Sequence, residues 1–94
     1  MSKPVPPALA EARREIDDID SRLIDLLVER FAVAQRVVGI KREAGLPALL
    51  EDRVEEVLSN VEDRALKNGL PEGVARNIWR QLISATIAFE EKQL

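Results

Sequence analysis

The feature that most limits what this chain can become is an apolar stripe running from Leu9 to Ile40. Leu9, Ala12, Ile16, Ile19, Leu23 and Leu26 recur in alternating steps of three and four, and the same beat resumes through Val33, Val37 and Ile40. That spacing is the buried seam of an amphipathic helix or coiled coil, not the alternation of a strand. No proline interrupts it between Ala8 and Leu46. Gly39 is the one weak helix former within it, at about 1 kcal/mol relative to Ala. Ala44-Gly45-Leu46-Pro47 supplies a stop, with Gly able to take a left-handed cap and Pro unable to continue the helix.

Two shorter helical segments follow. The second starts near Ala48, with Glu51 and Asp52 at its positive end and Val54, Val57, Leu58, Val61 and Ala65 on one face. Asn68-Gly69-Leu70-Pro71 is a further stop and restart, placing Pro71 at the first position of a third helix. Val74, Ile78, Trp79, Leu82, Ile83, Thr86, Ile87 and Glu90 lie along one side of that helix. The expected fold is all-α, with one long helix and two shorter ones. Residues 1–7 read as a flexible, proline-rich lead and 8–94 as a single helical domain.

Length turns this pattern into a prediction about assembly. A first helix of roughly 35 residues extends about 50 Å. A globule of 94 residues has a radius of gyration of only about 12–13 Å. Two short helices cannot cover the apolar side of such a rod. The expected solution is an intertwined helical homodimer in which the long helices of two chains pack together.

Some charged residues break the pattern. The beat after Leu26 falls on Arg30. A guanidinium on a buried stripe needs an anionic partner, either one of the chain's 17 acidic residues or a ligand. Lys41 follows 11 residues later, close to three full turns, so it projects on nearly the same face about 16 Å away. Two long side chains so placed can grip one small anion. Arg13 lies about 25 Å from Arg30 and roughly 100° around the helix. An antiparallel partner, however, could deliver its own Arg13 to the other chain's Arg30. Arg53 borders the apolar face of the second helix, where a position of this kind reads as a surface residue with a buried stem. Thr86 and Glu90 are one turn apart, and the Glu90 carboxylate either faces inward or belongs to a solvated helix end. Trp79 reads as core. Arg14, Arg22, Arg36, Arg42, Arg76 and Arg80 read as surface charges.

Composition narrows the chemistry. Cys, His and Tyr are absent, which excludes disulfides, Cys/His zinc sites and Ser-His-Asp or Cys-His nucleophile systems. No metal and no cofactor are expected. A formal charge of -3 and a pI near 5.0 argue against general nucleic-acid binding. Without a signal-peptide core or an apolar run of about 20 residues, no membrane association is expected and the chain reads as cytoplasmic.

The run LAEARREIDDIDSRLIDLLVER, from Leu9 to Arg30, resembles the opening of the AroQ-type, all-α chorismate mutases. The resemblance continues through Lys41, the Pro47 turn, the Asp52-Arg53 pair and a terminal helix ending near Glu90. It covers roughly positions 8–92. It implies an intertwined dimer with two shared sites, where chorismate is rearranged to prephenate by an intramolecular Claisen step on the route to aromatic amino acids. Such a step needs no nucleophile, metal or cofactor. The site must hold a flexible dicarboxylate in its reactive fold and stabilise charge on the breaking ether bond.

The resemblance implies that Arg13 from the partner chain and Arg30 bind substrate carboxylates, as the guanidinium fork suits. It further implies that Lys41 binds a carboxylate and donates to the ether oxygen, that Arg53 completes the cationic wall, and that Thr86 and Glu90 face the substrate. The family often carries Gln at position 90, and here it is Glu. A carboxyl group donates only when protonated. In that role Glu90 requires surroundings that favour its neutral form. Some members also place acidic residues near positions 50 and 54, where this chain has Leu50 and Val54. Isochorismate-pyruvate lyases and aminodeoxychorismate mutases are related alternatives. A helical dimerisation module without catalysis is the alternative from another class, although it leaves Arg30 and Lys41 unexplained.

Overall fold

A computed structural model describes residues 3–94. Met1 and Ser2, part of the expected lead, lie outside the described residues. Residues 3–6 have no regular structure, and every regular element among the described residues is helical. Helix α1 spans Pro7–Ala44, α2 spans Glu51–Lys67 and α3 spans Val74–Glu91. No described helix is long and apolar enough to cross a membrane.

The helix ends follow local chemistry. Pro7 occupies the first position of α1, where its missing N–H costs nothing, and the Pro6 carbonyl accepts from the amides of Leu9 and Ala10. At the other end Gly45 takes φ 69°, a left-handed conformation that disfavours side chains. The Leu46 amide then donates to Lys41 O at 2.8 Å and the Gly45 amide to Arg42 O at 3.3 Å, the paired bonds of a Schellman cap. Gly69 closes α2 in the same way, with φ 85° and the Leu70 amide on Ala65 O at 2.9 Å.

Two boundaries differ from the sequence expectation. α2 begins at Glu51 rather than near Ala48, since its N-cap Leu50 is extended and Ala48 lies buried in the connecting loop. α3 begins at Val74, not at Pro71. Gly73 sits at φ 84°, which breaks helical geometry between Pro71 and Val74, and its carbonyl takes the first helical bond from Asn77.

The chain divides into two compact units, one ending at Val33 and one spanning Ala34–Leu94. The first contains most of α1, and none of its described residues is buried. Leu9, Ile16, Ile19, Leu23, Ile24, Leu26, Val28 and Val33 all lie on its surface. The second unit holds the core: Ala34, Val38, Ala48, Leu58, Ala75 and Ile83 are buried, and Leu58 and Val38 are the largest fully enclosed side chains. Within it α2 and α3 pack against each other.

Candidate functional site

The core face of the second unit ends in an ion pair. Val38 is three residues before Lys41 and Ala34 seven before it, so all three share one face of α1. On α3, Glu90 follows the buried Ile83 by seven residues, two turns along the same face. These registers aim an ammonium and a carboxylate inward together. Lys41 Nζ donates to Glu90 Oε1 at 2.8 Å and to the carbonyl of Ala48 at 2.7 Å. Glu90 is the one buried charged residue among those described, at 5% exposure. The inward reading of Glu90 therefore holds, and the solvated one does not.

Low-dielectric surroundings strengthen such a pair and raise the cost of losing either half. No buried side-chain nitrogen or oxygen among the described residues lacks a hydrogen-bond partner. An ammonium carries three N–H donors. Two are directed at Glu90 and Ala48, which fixes the direction of the remaining one.

The other expected site residues are placed as follows. Thr86, half-buried one turn before Glu90, donates its hydroxyl to Leu82 O at 2.8 Å. Arg53 is exposed on the first turn of α2 and pairs with Glu56 on the same helix. Val54 and Leu50 are half-buried beside it. Arg13 and Arg30 belong to the first unit, where Arg13 is exposed and Arg30 half-buried. The structure thus brings Lys41 and Glu90 into direct contact, with Thr86 adjacent in sequence register.

Other contacts had no signal in the sequence. Arg76, expected to be an ordinary surface charge, donates from α3 to Glu62 on α2 at 2.9 Å, with both side chains about two-thirds covered. The hydrogen bond to Glu62 holds its guanidinium above the ordinary value, and that carboxylate's charge adds to the effect. Because the shift is upward, its contribution to stability is present below the unfolded value and lost only at strongly alkaline pH. Arg42, also expected to be a surface charge, donates to Gln93 O, and Gln35 donates to the Gln93 side chain at 2.8 Å. Periodicity marks which face a residue occupies but not which distant residue meets it, so none of these partners was readable.

Comparison with known proteins places this arrangement. The family described as chorismate mutase type II matches residues 12–91. The chain is 34% identical over 87 residues to the bifunctional chorismate mutase/prephenate dehydratase of Aquifex aeolicus, covering 89% of this chain and 24% of that protein. It is 28% identical over 86 residues to the chorismate mutase of Methanocaldococcus jannaschii, covering 92% of this chain and 87% of that one. It is also 27% identical over 82 residues to the T-protein of Enterobacter agglomerans, covering 87% of this chain and 22% of that protein. The chain therefore spans about a quarter of the two larger relatives and most of the Methanocaldococcus protein. No solved structure matches it significantly. With the family match extending from the second turn of α1 to the last residue of α3, the chain belongs to the type II chorismate mutase family.

Proposed function

We propose that two copies of this chain form a chorismate mutase with shared sites, converting chorismate to prephenate by a pericyclic rearrangement. Membership of the family supports the activity, and the buried Lys41–Glu90 pair is the observation that carries the site. The reaction breaks a C–O bond and forms a C–C bond within one molecule, so no proton, electron or leaving group is exchanged. Catalysis then consists of holding the substrate folded and placing fixed positive charge where the ether oxygen becomes electron-rich.

Lys41 suits this task. Glu90 and Ala48 O hold its ammonium in place before any substrate arrives, so its remaining donor needs no reorganisation. Paired with the ammonium, Glu90 orients Lys41. Arg30, Arg53 and the partner chain's Arg13 bind the two carboxylates in this reading, and Thr86 lines the site beside Glu90. Their assignment rests on the resemblance and on helical spacing.

The dimer is supported by the apolar surface of the first unit. Ile16, Ile19, Leu23 and Leu26 are each about half-exposed in the single chain. A contiguous face of this kind on a water-exposed helix is the mark of an interaction surface. The same stripe on a second copy is the matching occupant. A cytoplasmic location completes the reading, in keeping with a chain that carries no cysteine.

The deciding experiment supplies purified protein with chorismate and separately with isochorismate, then identifies the products. Prephenate from chorismate is expected. Salicylate and pyruvate from isochorismate would instead make the chain a lyase of the same fold, a reading to which Leu50 and Val54 are relevant. Turnover of neither would overturn the proposal.

A further inference from the structure

Glu90 is mounted on an insecure part of its helix. It lies in the final turn of α3, and helix ends leave their last carbonyls without intrahelical partners and fray. Cationic side chains usually secure that end by opposing the negative pole of the helix dipole. α1 has Lys41 and Arg42 in its last turn, and α2 has Arg64 and Lys67. α3 has none within its last turn, and its nearest is Lys92 at the cap.

A cation that hydrogen-bonds this end comes from another helix. Arg42, on α1, donates through Nη2 to the carbonyl of Gln93, two residues beyond the end of α3. Gln35, seven residues earlier on the same face of α1, donates to Gln93 Oε1 at 2.8 Å. Gln93 is in turn tied to the last turn of α3. Its amide donates to Glu90 O at 3.0 Å and its side chain to Phe89 O at 3.4 Å. Gln93 therefore links α1 to the two residues that carry and precede the carboxyl of the site. Arg42 also neighbours Lys41, so one turn of α1 supplies both the ammonium and the tie.

The geometry points to Arg42 and Gln35 as positioning residues that, through Gln93, hold the last turn of α3 and set where the Glu90 carboxyl meets Lys41. This inference rests on the reading that the Lys41–Glu90 pair serves the reaction. Neither residue needs to touch substrate. Both side chains belong to exposed residues, so removing them leaves the buried core intact.

The test combines kinetics with hydrogen exchange. Arg42→Ala is expected to lower kcat about fivefold with little change in KM, the scale of one cation at a helix terminus. Arg42→Lys, which keeps a cationic donor, is expected to retain most of the activity. In a Glu90→Ala background the Arg42→Ala substitution is expected to cost nothing further, because the group it positions is gone. An equal loss in that background would overturn the positioning role, since Arg42 would then act independently of Glu90. Backbone amides of Gln93 and Leu94 are expected to exchange about tenfold faster in Arg42→Ala, reporting a loosened turn. Unchanged exchange would overturn the tie whether or not the enzyme turns over chorismate. A wild-type chain inert toward chorismate would overturn the functional reading and the positioning role, and faster exchange would still establish the tie itself.

Discussion

Lys41 Nζ meets Glu90 Oε1 at 2.8 Å, with the two side chains only 12% and 7% exposed. A lysine at the end of one helix and a glutamate at the end of another, 49 residues apart, thus form a buried pair that also holds the Ala48 carbonyl of the intervening loop. Breaking such a pair leaves a buried charge uncompensated, which costs about 3–5 kcal/mol. Lys41→Met is therefore expected to lower stability on that scale, and Lys41→Met combined with Glu90→Leu to recover most of the loss. Denaturant titration of both single variants and the double variant checks this, and equal losses that simply add would show the pair to be uncoupled.

The pair also bears on rate. If the ammonium stabilises charge on the ether oxygen, Lys41→Met lowers kcat by about 10²–10³-fold, the scale of losing one preorganised donor. Single-turnover measurements with chorismate check this in any Lys41→Met preparation that circular dichroism finds folded.

Arg30 separates an enzyme from a dimerisation module. It falls on the apolar beat of α1 between Leu26 and Val33. In a module, Arg30→Leu completes the stripe and raises stability. In an enzyme that uses the guanidinium fork to bind a carboxylate, the same change removes turnover while the assembly persists. Loss of chorismate turnover at unchanged molecular mass, measured by light scattering, is the expected result.

The assembly itself is tested on the exposed stripe. Ile19→Lys and Leu23→Lys place charges among apolar side chains that water covers in the single chain. Burying those charges at a chain–chain contact is costly. Both variants are expected to sediment as monomers, and chorismate turnover to fall with them. A wild-type chain that sediments as a monomer at every concentration would overturn the dimer.

The helical class was legible because it depends on local information. The beat from Leu9 to Ile40 requires a helix, Gly45 and Gly69 provide left-handed caps, and Pro47 ends the first segment. Those preferences are set by side chains within a turn of each other. The inward tilt of Glu90 was half-legible, since its spacing from Ile83 gives the face but not whether that face is covered. Family membership was legible too, because the Leu9–Arg30 run carries it.

What only the tertiary structure decided is pairing at long range. Lys41 with Glu90, Arg76 with Glu62 and Arg42 with Gln93 are separated by 49, 14 and 51 residues, and each joins a different pair of sites in the fold. The spacing rules relate residues within one helix and are silent about the rotation and height at which two helices dock. Burial then fixes the consequence: Lys41 and Glu90 meet where water is excluded, so each depends on the other, while the Arg53–Glu56 pair lies in solvent and adds little stability. Sequence alone determined which residues could face inward, and the packing of the helices determined which of them meet.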